Sequence, residues 1–127
     1  MSQVEKELEL SEEALADLES MEEVSLRRRY STLYYAVYHG ARAALLSIKY
    51  SPETHAGLDS LIHNIMVKEN EILEENEAST FSKIKTRREQ ADYETGFLGD
   101  EEEFKELKND AKELVEKFER IARKNTG

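Results

Sequence analysis

Tyr30-Ser31-Thr32-Leu33-Tyr34-Tyr35-Ala36-Val37-Tyr38-His39-Gly40-Ala41-Arg42-Ala43-Ala44-Leu45 decides the fold of this chain. Its apolar residues recur every three or four positions. With Leu26 on one side and Ile48 on the other, the pattern predicts a helix over about 25–49. The run is the most apolar in the sequence, so this helix is expected at the centre of the molecule. It also carries four tyrosines, a histidine and an arginine. Aromatic rings with polar tips suit a place that is dry on one side and wet on the other, such as a subunit interface or the wall of a site.

Other helices are read outward from it. Leu8, Leu15, Leu18 and Met21 give a narrow apolar face to a helix over about 3–22, in which Ser11 could cap a break. Ser51-Pro52-Glu53-Thr54 reads as a helix start, with Ser51 as cap and Pro52 in the first turn. That third helix runs through Leu58, Leu61, Ile62, Ile65 and Met66 to about Val67. The acidic stretch Glu69 to Glu77 reads as a loop or a weak helix. Ser79 or Thr80 can cap a fourth helix holding Phe81, Ile84 and Ala91, ended by Thr95-Gly96. Asp100 and Glu103 resemble a capping box for a fifth helix. Its seam is Phe104, Leu107, Ala111, Leu114, Phe118 and Ile121. No stretch alternates with period two. The expectation is an all-α protein, an antiparallel four- to five-helix bundle forming a single domain over 1–127, with residues 1–10 as a helical extension or arm.

Composition narrows the function. At 127 residues, one core can form but not two. No cysteine is present, so neither a disulfide nor a thiolate metal site is expected. No run reaches membrane-span length, and a cytoplasmic location is the default expectation. The net charge of −10 disfavours non-specific DNA binding. Within that acidic chain two basic clusters stand out: Arg27-Arg28-Arg29 with Arg42, and Lys83, Lys85, Arg87 and Arg88.

A carboxylate-bridged metal pair would need Glu-x-x-His, and none of His39, His55 or His63 has it. His55 and His63 are eight apart, about 12 Å along a helix and too far for one metal. No metal or cofactor is therefore expected, and both histidines read as packing or surface residues. His39 and Arg42 share a helix face near Tyr35 and Tyr38. The simplest reading is a polar cluster that fixes packing or a dimer seam; the alternative is recognition of a phosphate or base. Arg87-Arg88-Glu89-Gln90-Ala91-Asp92-Tyr93 is either a solvated face with an Arg88–Asp92 pair, or a phosphate clamp.

Three motifs together resemble the HEPN domain family over roughly residues 10–120. They are Tyr34-Tyr35-Ala36 with His39, Ala41, Arg42, Ala43 and Leu45; Tyr50-Ser51-Pro52-Glu53-Thr54-His55-Ala56-Gly57; and Arg87-Arg88-Glu89-Gln90-Ala91-Asp92-Tyr93. The chain is similar to the small stand-alone prokaryotic branch that often accompanies a minimal nucleotidyltransferase. The resemblance implies a helical homodimer. In the family's ribonucleases an Arg, followed four to six residues later by a His, meets its counterpart across the dimer and cleaves RNA without a metal. Here the position after Arg88 and four further residues is Tyr93. A phenol ionises near pH 10, so tyrosine is a poor general base.

The leading expectation is a homodimer that binds a nucleotide or RNA in a toxin–antitoxin-like or nucleotidyltransferase-associated system. Arg87, Arg88 and Tyr93 would form its floor, with His39 and Arg42 contributing. One alternative is a metal-independent endoribonuclease acting through Arg88 and Tyr93 or His39. The other is a non-catalytic protein-interaction module. Some family members carry a tyrosine beside the motif that the partner modifies with AMP, and Tyr93 is the candidate here.

Overall fold

The computed structural model describes residues 2–97 and 99–126. The chain forms α1 (Gln3–Leu18), α2 (Leu26–Ser47), α3 (His55–Leu61), α4 (Glu75–Tyr93) and α5 (Glu101–Thr126). Helix α3 runs on into a π-helical segment, Ile62–Glu69. There is no strand among the described residues. No helix among them is long and apolar enough to cross a membrane.

Helix α2 is central because its apolar residues cover most of its circumference. Tyr30, Leu33, Tyr34, Val37, Ala41, Ala44 and Leu45 are fully buried. Burying each of the larger side chains contributes roughly 1.5–3 kcal/mol. Three helices pack on it: α1, α5 and α4. Side-chain pairs fix their directions. Glu7 meets His39 while Ser11 Oγ donates to the Ala36 carbonyl at 2.7 Å, so α1 runs antiparallel to α2. Glu77 meets Lys117 and Arg87 meets Glu103, so α4 and α5 are antiparallel. Arg29 meets Glu101 and Gly40 lies under Phe118, so α2 and α5 run parallel across the core. Gly40 allows that approach: a Cβ there would sit 3.2 Å from the Phe118 ring and 3.3 Å from Ser11 Oγ.

Several helix boundaries differ from the sequence reading. Ser11 is buried inside α1 and bonds across to α2, so it caps no break. Helix α1 ends at Leu18 rather than near residue 22. The third helix starts at His55, three residues later than Pro52 suggested. Thr54 Oγ1 is the cap and accepts from Gly57 N–H at 2.8 Å. Helix α4 starts at Glu75, not at Ser79 or Thr80. Glu77 accepts from the Glu74 N–H at 2.8 Å, and the same carboxylate binds Lys117 at 2.6 Å. Residues 70–74 of the acidic stretch lie outside any helix, as the loop reading had it, whereas Glu75 and Glu77 make the acidic first turn of α4, which is favoured at a helix N-terminus. Asp100 does cap α5, accepting from the N–H of Glu102 at 2.9 Å. Glu103, however, turns to Arg87 instead of closing a capping box.

Candidate functional site

Helix α2 exposes one stripe between α1 and α4. It contains Tyr35, Tyr38 and His39, with Tyr34 just beneath. Tyr35 is 39% exposed. The rings pack edge to face or tilted: Tyr34 with Tyr38 at 5.8 Å, Tyr35 with Tyr38 at 6.4 Å, and Tyr38 with His39 at 5.0 Å. His39 stacks on Tyr35 at 6.0 Å. From the start of α3, His55 joins the same group, 4.7 Å from Tyr38 and 5.5 Å from Tyr34. Tyr34 Oη and His55 Nδ1 are 2.7 Å apart.

Arg88 of α4 lies over this bed. Its guanidinium carbon is 5.2 Å from the Tyr34 ring and 6.0 Å from the Tyr35 ring, within reach of a cation–π contact. Asp92, one turn along, brings a carboxylate oxygen to 3.0 Å from Arg88 Nε. That oxygen lies off the direction of the N–H, which is buried and makes no hydrogen bond. Among the described residues, the two terminal nitrogens of Arg88 meet no protein acceptor.

The neighbouring arginines differ. Arg87 Nε is 2.6 Å from one Glu103 oxygen, Nη2 is 3.2 Å from the other, and Nη1 donates to Gln90 at 3.0 Å. Its guanidinium is thus engaged between α4 and α5, and the Glu103 bond raises its pKa further. The same bond lowers the Glu103 carboxyl below its usual range. Arg42 binds Glu7 of α1, whose second oxygen is 2.6 Å from His39 Nδ1. Glu7 is only 8% exposed. Both polar residues singled out on α2 are therefore tied to one buried carboxylate. Arg29 is held by the Val24 carbonyl at 2.8 Å and by both oxygens of Glu101. Tyr93 is the last residue of α4 and is 80% exposed.

Ionisation follows from burial and charge. Burial raises the Tyr34 phenol well above its ordinary value, outweighing the opposite pull of Arg88. Burial, then Arg88 and Lys85, lower the pKa of His55 below its ordinary value. At neutral pH the Tyr34–His55 pair is therefore a neutral phenol on a neutral imidazole.

The structure thus brings Arg88 together with Tyr34 and Tyr35, and sets His39 on the edge of the same bed. Arg42 is turned to α1 and Arg87 to α5. Glu7 escaped the sequence reading altogether, while Tyr34 and His55 stood in its motifs without being taken as site residues. Glu7 is one of nine acids in the first 24 residues, with nothing local to mark it. His55 did carry a signal, since it stands in the second of the three family motifs.

A depression of about 650 Å³ lies elsewhere, where the α1–α2 connection meets the start of α5. Glu22, Ser25, Arg29, Phe97 and Glu101 line it. Its buried cation, Arg29, is already neutralised by Glu101, so it offers an anion little.

The family model described as HEPN domain matches residues 4–121, nearly the whole chain. No curated protein matches it.

Proposed function

Because this chain belongs to the HEPN domain family, we propose that it binds a nucleotide or an RNA phosphate at Arg88, on the tyrosine bed of α2. One observation carries this reading. Arg88 has a carboxylate, Asp92, only beside its Nε and keeps its terminal nitrogens unengaged on a platform of aromatic rings, whereas Arg29, Arg42 and Arg87 each give at least one terminal nitrogen to a carboxylate. A guanidinium in that state can offer two parallel N–H bonds to a phosphate. Exposed rings of Tyr35 and Tyr93 suit stacking on bases. Arg87 would have to leave Glu103 to join, so its part is to hold α4 in place. His39 and Arg42, anchored by Glu7, support the bed from the α1 side.

In this reading the protein works as a homodimer. The Arg88 side chain is 20% exposed and Tyr35 beside it is more so; a second copy packed there would form a groove with an arginine from each subunit. Such a dimer would act in a toxin–antitoxin-like or nucleotidyltransferase-associated pair.

Fluorescence anisotropy with a short labelled oligoribonucleotide tests the proposal. Arg88→Ala is expected to weaken binding about tenfold or more, because the change removes a charge-assisted contact. Arg87→Ala is expected to act mainly on stability. Equal affinity of Arg88→Ala and wild type would overturn the reading and leave a protein-interaction module. Metal-independent cleavage of the probe, lost in Arg88→Ala, would convert it into the ribonuclease reading.

A further inference from the structure

His55 has one ring nitrogen committed and the other open. Tyr34 is fully buried, and its hydroxyl finds His55 Nδ1 at 2.7 Å as its partner. The direction of that hydrogen bond follows from counting acceptors. If Nδ1–H donated to the phenol oxygen, the phenolic proton would be left in the core without an acceptor among the described residues. If the phenol donates, every proton is placed. Nδ1 then accepts, and the ring proton must sit on Nε2. His55 is exposed, and Nε2 meets no protein partner among the described residues.

We infer that His55, locked by Tyr34 as the Nε2–H tautomer, is a neutral hydrogen-bond donor to the phosphodiester whose charge Arg88 receives. The inference rests on the Arg88 reading above and adds a second contact to it. The ligand class is an anion with adjacent acceptor oxygens, as in an RNA backbone. The groups facing His55 are consistent with a neutral ring. Helix α2 presents Tyr34, Tyr38 and His39; α4 presents Lys85, Arg88 and Glu89. The part of the ring packed on Tyr34 and Tyr38 is desolvated, which disfavours a positive charge first, and the cations Arg88 and Lys85 add to that. Nε2–H cannot take a proton from a 2′-hydroxyl in this tautomer. His55 is thus a binding residue, not a substitute for the missing motif histidine.

Two measurements on the full chain test this. Long-range ¹⁵N–¹H correlation spectra of the unliganded protein at neutral pH should show His55 with a protonated Nε2 and an unprotonated Nδ1. In Tyr34→Phe the same spectrum should show both tautomers. The second is anisotropy with the labelled oligoribonucleotide. His55→Leu should lose about tenfold in affinity. His55→Gln, whose amide N–H reaches about the same point, should stay within a few-fold of wild type. A protonated Nδ1 or an imidazolium would overturn the tautomer assignment, whatever the affinity. Wild-type affinity in His55→Leu would overturn the contact. An Nε2–H tautomer in a protein that binds no probe at all would instead overturn the Arg88 reading, and with it the ligand assigned to His55.

Discussion

At the residue scale, four arginines of one small protein divide by what their guanidinium groups touch. Arg29, Arg42 and Arg87 have acceptors supplied by Glu101, Glu7 and Glu103. Arg88 has the faces of Tyr34 and Tyr35 and an ill-aimed Asp92. The sequence pointed to Arg88 because it lies in a recognisable motif, and its Asp92 pair follows from helical spacing. The partners of the other three lie 72, 35 and 16 residues away in sequence, beyond the reach of any local pattern. Tyr30 shows the same limit. Its hydroxyl is buried and makes no well-formed hydrogen bond, the Glu103 carboxylate lying near it without reaching bonding geometry, and burial pushes the phenol up to about 12, with the charge of Glu103 adding to the rise. A hydroxyl without a partner in the core costs stability. Tyr30→Phe is therefore expected to leave stability unchanged or raise it by about 1 kcal/mol, read as the urea midpoint at constant slope. A loss of more than about 1 kcal/mol would show that the hydroxyl has a partner in solution.

At the element scale, the sequence carried the existence of every α-helix, most firmly α2 and α5, whose apolar periodicity leaves little choice. Their boundaries were harder, since several cap residues compete. Ser51 and Thr54 are both good caps; Pro52 is buried ahead of the helix, and it is Thr54 that makes the cap bond, to the Gly57 N–H. Thr54→Ala should cost about 1 kcal/mol in the same denaturation assay. The π-helical turn of Ile62–Glu69 was not readable, because Ile62, Ile65 and Met66 fit ordinary helical spacing equally well. Helix α3 also gives the fold a pH response. His55 has a lower pKa folded than its ordinary 6.5, so below 6.5 the unfolded chain binds the proton more readily. Its contribution is complete above pH 6.5 and is lost as pH falls from there through the folded value. Glu103 and Glu101, lowered by Arg87 and Arg29, add their losses only below the ordinary carboxyl value of 4.5. Stability measured against pH should therefore begin to fall below about 6.5. In His55→Gln that first decline should disappear and only the carboxylate step remain; an unchanged profile would assign the decline to another group.

At the scale of the whole molecule, an acidic chain of net charge −10 has to attract an anion locally while repelling it globally. Long-range repulsion is screened beyond about 10 Å at moderate salt, whereas a direct guanidinium–phosphate contact is not. Binding should thus depend on very few cations, and the salt dependence counts them. For single-stranded nucleic acid, each neutralised phosphate contributes about 0.7 to the slope of log affinity against log salt. The most direct measurement is that slope for the labelled oligoribonucleotide with wild type, Arg87→Ala and Arg88→Ala. Arg88→Ala should lower it by about 0.7 if one arginine holds one phosphate, or about 1.4 if both subunits of a dimer contribute, and Arg87→Ala should leave it unchanged. Identical slopes in all three proteins would mean that Arg88 holds no phosphate, and the tyrosine bed would then be only a packing surface.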